Sequence, residues 1–99
     1  MNAKSIVIVG RRWFNKNTGN TYFSSQIFVD GNLVHTIDYE YGYGNQYCQS
    51  SQEWLDKNGY LPGLEHNANG SFESLWNYAE RKGMTINYTA TDVSRKKDL

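Results

Sequence analysis

"TYFSSQIFVDGNLVHTIDYEY", residues 21–41, sets two runs of β-branched and aromatic residues on either side of Asp30-Gly31-Asn32. Asp-Gly is a strong hairpin signal, because the tight turn that follows the twist of two strands needs φ > 0 at both central positions. The stretch predicts antiparallel strands over 21–29 and 33–41. Upstream, "SIVIVGRRWF" at 5–14 has the same strand-forming character, and the polar "NKNTGN" at 15–20 separates it from residue 21. A three-strand meander follows. The register of 33–41 is left open: a slip of one residue exchanges the face carrying His35, Ile37 and Tyr39 with that carrying Thr36, Asp38 and Glu40.

Downstream the period changes from two to that of a helix. Tyr47, Ser51, Trp54 and Leu55 fall at i, i+4, i+7 and i+8 from about residue 46, with Asn58-Gly59 as a stop before Pro62. A second stripe, Phe72, Leu75, Trp76 and Ala79, predicts a helix from about Ser71 to Gly83. "YLPGLEHNANG" between them is an irregular connection with enough apolar residues to pack down. "MTINYTATDV", 84–93, alternates Met84, Ile86, Tyr88 and Ala90 with polar residues and predicts a half-buried strand. The order β-β-β-α-α-β makes an α+β domain. Its expected form is a four-stranded antiparallel sheet of order 3-2-1-4, with two helices packed on one face. Residues 1–94 form the domain, and 95–99 are expected to be a basic, flexible tail.

Composition narrows the chemistry. Ninety-nine residues suit one core. A lone cysteine, Cys48, excludes an internal disulfide, and with only His35 and His66 beside it a zinc set lacks ligands. A reducing cytoplasm is the expected compartment. The longest aliphatic run, "IVIV" at 6–9, is too short for a membrane span or a signal-peptide core. Net charge is zero, but residues 1–29 carry +4, residues 30–80 carry −7 and residues 81–99 carry +3. With strand four beside strand one, Lys4, Arg11 and Arg12 would lie near Arg95 to Lys97 and make the molecule dipolar.

No constellation points to catalysis, a cofactor or a metal. Cys48 has no nucleophile signature around it, Asp38 and Glu40 read as a solvated stripe, and Glu65-His66 lacks further ligands. "YGYGN", 41–45, turns sheet into helix. Gly42 and Gly44 could offer backbone N–H groups to an anion there, yet the spacing is that of neither a dinucleotide nor a P-loop fingerprint. What remains is surface. Trp13, Tyr39, Tyr41, Tyr43 and Tyr60 exceed what the helical stripes need, and with Arg11 and Arg12 they are the residue types that dominate interface hot spots. The expected site is therefore a non-enzymatic protein-binding surface of Trp13, Tyr39, Tyr41, Tyr43, Arg11 and Arg12 with the Gly42–Gly44 corner. The alternative is a nucleotide or nucleic-acid module built on Arg11, Arg12 and that corner, although the neutral balance disfavours duplex binding. Free sheet edges also allow a homodimer.

"GRRWF…GNTY…VDG…YGYG…WL" across residues 10–55 resembles small proteins encoded by tailed bacteriophages and prophages. The resemblance implies an accessory protein in the host cytoplasm that takes over or counters a host protein by stoichiometric binding. It carries no active-site residues.

Overall fold

Asp30 and Gly31 take φ of 50° and 85°, so the turn inside 21–41 is the tight one its sequence asks for. The computed structural model of the chain describes residues 4–66 and 73–99. Strands β1 (Ser5–Asn15), β2 (Asn20–Val29) and β3 (Asn32–Tyr41) form the meander. Helices α1 (Gln46–Lys57) and α2 (Leu75–Lys82) follow, then β4 (Thr85–Val93) and a 3-10 turn over Lys96–Asp98, beside which Arg95 pairs with Asp98 at 3.1 Å. The strand order is β3-β2-β1-β4.

The sheet is mixed, not antiparallel throughout: β4 runs parallel to β1, with Ser5 opposite Thr85 and Trp13 opposite Val93. The chain leaves β3 at Tyr41, opposite Tyr22 and thus at the Trp13 end. It re-enters at the other end, where the Thr85 N–H donates to the Lys4 carbonyl. The segment holding both helices thus crosses the sheet once, and one crossover makes the new strand parallel. A left-handed Gly83 (φ 69°) caps α2 and turns the chain into β4 within two residues.

Ile6, Ile8, Phe23, Ile27, Ile37 and Ile86 supply the sheet's side of the core, and Tyr47, Leu55, Leu75, Tyr78 and Ala79 the helices' side. Ser51, fully buried on α1, donates to the Tyr47 carbonyl and lies 2.7 Å from the Ser25 hydroxyl of β2, so both buried hydroxyls have a partner. The buried stripe of α2 is Leu75, Tyr78 and Ala79, whereas Trp76 is 58% exposed. The expected stripe was rotated because Tyr78 outcompetes Trp76 for the interior, its hydroxyl donating to the Pro62 carbonyl at 2.7 Å. Ser74 caps α2 by accepting from the Asn77 N–H, and Ser71 and Phe72 of the expected stripe lie outside the described residues.

The Asp30 carboxylate accepts from the N–H groups of Lys4 and Ser5, stitching the β2–β3 turn to the start of β1. Those two bonds hold its pKa below the ordinary carboxylate value. A folded-state pKa below the unfolded one contributes stability above the unfolded value, and that contribution is lost as pH falls through the folded one. Asp30→Asn keeps an acceptor and suits the positive φ, so it is expected to flatten the loss of stability below about pH 4 in urea melts. An acid limb as steep as wild type would contradict this role.

Candidate binding surface

Partners across strands share a face of the sheet, so the registers sort each side chain. Ile6, Ile8, Gly10, Arg12 and Phe14 of β1 face the helices; Val7, Val9, Arg11 and Trp13 face the other way. Helices α1 and α2 pack on the first face and leave the second open, apart from the 3-10 turn after β4, which reaches its Tyr39 end through Lys96. On β3 the answer changes along the strand. His35 and Ile37 pair with Ile27 and Ser25 on the helix side, and His35 stacks on Trp54 of α1 with centroids 4.3 Å apart. Then Asp38 and Tyr39 stand against the single residue Ser24, a β-bulge that flips the alternation. Tyr39 and Tyr41 therefore land on the open face.

There they join a row of rings. Trp13 stacks on Tyr22 at 5.9 Å, Tyr22 on Tyr39 at 5.0 Å and 12° between planes, and Tyr41 meets Tyr22 edge-on at 5.7 Å. The Lys96 ammonium, carried over from the end of β4, sits 4.7 Å above the Tyr39 ring. Tyr39's phenol titrates above the ordinary tyrosine range, first through desolvation and then through the neighbouring Tyr22 hydroxyl. Because β2 lies between β1 and β3, each face of Tyr22 is taken by another ring. The row thus presents ring edges, hydroxyls and the exposed Tyr41 (61%) to solvent. Arg11, opposite Ser24 and Thr91, adds an exposed cation beside it. Of the strand acids, Glu40 lies opposite Phe23 and Asp92 opposite Arg12, both on the helix side, and Asp38 sits in the edge bulge.

The remaining expected site residues lie on the opposite side of the sheet. Arg12 donates to Asp92 at 3.0 Å and to the Gly44 carbonyl at 3.2 Å, and with Phe14, Thr21 and Tyr43 it lines an open cleft of about 410 Å³. Tyr43 is the most exposed large ring, at 73%. Gly42 is buried, and its N–H donates to the Thr21 carbonyl, extending the β2–β3 ladder; a Cβ there would come within 3 Å of Gln46 and Phe23. Gly44 has φ 61° and open space around it. These glycines make the turn, and the cation beside them is already engaged by a carboxylate and a carbonyl. The expected surface is thus two clusters: Arg11, Trp13, Tyr39 and Tyr41 on the open face, and Arg12, Tyr43, Gly42 and Gly44 behind it. Tyr60, counted with the surplus rings, stacks on Trp54 and packs against the core.

Tyr22 is the residue that sequence reasoning missed. Closing the first hairpin at Asn15 and Asn20 places it opposite Trp13, a signal already present in the loop length. Elsewhere, burial pushes the Cys48 thiol up, opposite to an activated nucleophile. His66 Nε2 lies 3.0 Å from Asp56 Oδ2. Among the described residues no cluster of three or more His, Cys, Asp or Glu side chains could hold a metal, and no helix is long and apolar enough to cross a membrane. No protein-family model, curated protein or solved structure matches this chain.

Proposed function

We propose that the protein is a non-catalytic binding module whose open sheet face docks another protein. The carrying observation is the self-stacked row Trp13–Tyr22–Tyr39 with Tyr41 on the sheet face that α1 and α2 leave open. Single-strand binders stack bases on free ring faces, whereas this row spends its faces on itself and offers edges and hydroxyls, the form in which tyrosine and tryptophan serve protein interfaces. The rings are pre-ordered, so little side-chain entropy is lost on docking. Arg11 and Lys96 suit a partner whose apolar patch is rimmed by carboxylates. The arginine-and-glycine corner supports the nucleic-acid alternative less well, since Asp92 and the Gly44 carbonyl occupy Arg12. The resemblance of residues 10–55 to small phage-encoded proteins supports a host protein as partner, met in the host cytoplasm and blocked by stoichiometric occlusion.

Affinity purification from a bacterial host lysate tests this with wild type and folded Trp13→Ala and Tyr41→Ala variants. A protein retained in stoichiometric amount by wild type and lost by both variants is expected. Equal retention by the variants, or salt-sensitive recovery of nucleic acid in place of protein, would overturn it.

A further inference from the structure

The two edges of the sheet differ. β3 carries two bulges, one against Ser24 and one between Ile27 and Phe28, together with the exposed acids Asp38 and Glu40. Bulges and charges are how proteins keep an edge from pairing. β4 has no bulge and a single acid. Its nine residues run in unbroken register along β1, contain neither proline nor lysine, and include one charged side chain, Asp92, which Arg12 already binds. Among the described residues β4 pairs with β1 alone.

Backbone groups of successive strand residues point to alternate sides. The Thr85 N–H is spent on the Lys4 carbonyl, so Thr85, Asn87, Thr89, Thr91 and Val93 address β1. Ile86, Tyr88, Ala90 and Asp92 therefore turn their N–H and C=O groups outward. We infer that this edge pairs with β4 of a second copy of the chain, antiparallel about a two-fold axis through Thr89, joining two sheets into one. This goes beyond the binding role of the open face, which the pairing leaves exposed.

The register follows from self-complementarity. With Thr89 opposite its own copy, Tyr88 meets Ala90 and Ile86 meets Asp92 of the second copy, and the outward backbone groups of all four residues find partners. A shift by one residue either way puts Tyr88 or Ala90 on the axis and strands an end residue. In the chosen register the largest side chain faces the smallest, no like charges meet, and Thr or Asn lies opposite Thr or Val on the other face. A two-fold axis normal to the sheet keeps both helix layers on one side. It thereby brings both copies of Trp76 (58% exposed) and Tyr88 (40%) to the seam, where a groove lined by Trp76, Ala79 and Ile86 already runs along β4. An extended segment of another protein would satisfy the backbone but not bury these rings in symmetric pairs.

Light scattering on the full chain is expected to give twice the 11.4 kDa mass, falling to the single-chain mass in Ala90→Pro, whose lost N–H is not one that β1 uses. Thr89 pairs across a non-hydrogen-bonded site, where Cα atoms approach to about 4.5 Å, within disulfide reach. In a Cys48→Ala background, Thr89→Cys is therefore expected to cross-link under mild oxidation, whereas Thr91→Cys, which would face Asn87, is not. A single-chain mass for wild type at every concentration, a dimer that survives Ala90→Pro, or cross-linking through residue 91 in preference to 89 would each overturn the inference.

Discussion

Gly10→Val is expected to lower the unfolding free energy by about 3 kcal/mol in urea denaturation, although valine is by far the better strand former. Gly10 lies mid-strand in β1, where a glycine ordinarily weakens pairing. Here it makes room. A Cβ built on Gly10 would stand 2.5 to 2.9 Å from three atoms of the Tyr47 ring, which is itself buried between α1 and the sheet. The ring has nowhere to go, because its own backbone carbonyl is bonded by Ser51 and Ser51 is held against Ser25. Local propensity and packing thus pull in opposite directions, and packing is the larger. Pairing Gly10→Val with Tyr47→Ala is expected to cost less than the sum of the two single losses in a double-mutant cycle. Wild-type stability of Gly10→Val would mean that α1 does not lie where Tyr47 places it.

Tyr22→Ala is expected to weaken binding to the partner by about 2 kcal/mol or more, roughly thirtyfold in Kd, the largest loss of any single ring. It is the shared member of all three contacts in the row, so its removal frees Trp13, Tyr39 and Tyr41 together. Tyr22→Phe keeps the stack and is expected to bind close to wild type. Tyr43→Ala and Arg12→Ala, on the other side of the sheet, are expected to leave affinity unchanged, which separates this account from one centred on the glycine corner. Calorimetric titration of the folded variants reads all four. Equal losses from Tyr43→Ala and Tyr22→Ala would place the interface elsewhere.

Much of the scaffold was legible because it rests on local signals. Asp30-Gly31 fixed one hairpin, Asn58-Gly59 and Gly83 ended the helices, and the alternation over 84–93 made the last strand. Strand order followed from where a free edge remained. What failed to show was non-local. The direction of β4 depends on how far the segment between β3 and β4 carries the chain, which no residue pattern encodes. The rotation of α2 depends on one tyrosine hydroxyl finding the Pro62 carbonyl.

The site was half legible for the same reason. Residue types picked out Trp13, Tyr39, Tyr41 and Arg11, but a strict alternation puts Tyr39 on the side of His35 and Ile37. Only the bulge opposite Ser24 separates them, and a bulge is invisible in the sequence of the strand that contains it. Adjacent arginines leave a strand on opposite faces, but which of Arg11 and Arg12 meets the helices, and where Tyr43 falls beyond the end of β3, depends on which face the helices cover. Tyr22 went unweighted because its importance lies in its partners across the hairpin.

Hydroxyl-radical footprinting of the protein bound to whatever the affinity purification retains reads which face of the sheet is buried. Side-chain oxidation should fall at Trp13, Tyr39 and Tyr41 on binding while Tyr43 stays as reactive as in the free protein. Protection confined to Tyr43 and Phe14, with the open-face rings as reactive as before, would put the interface on the helix side of the sheet instead.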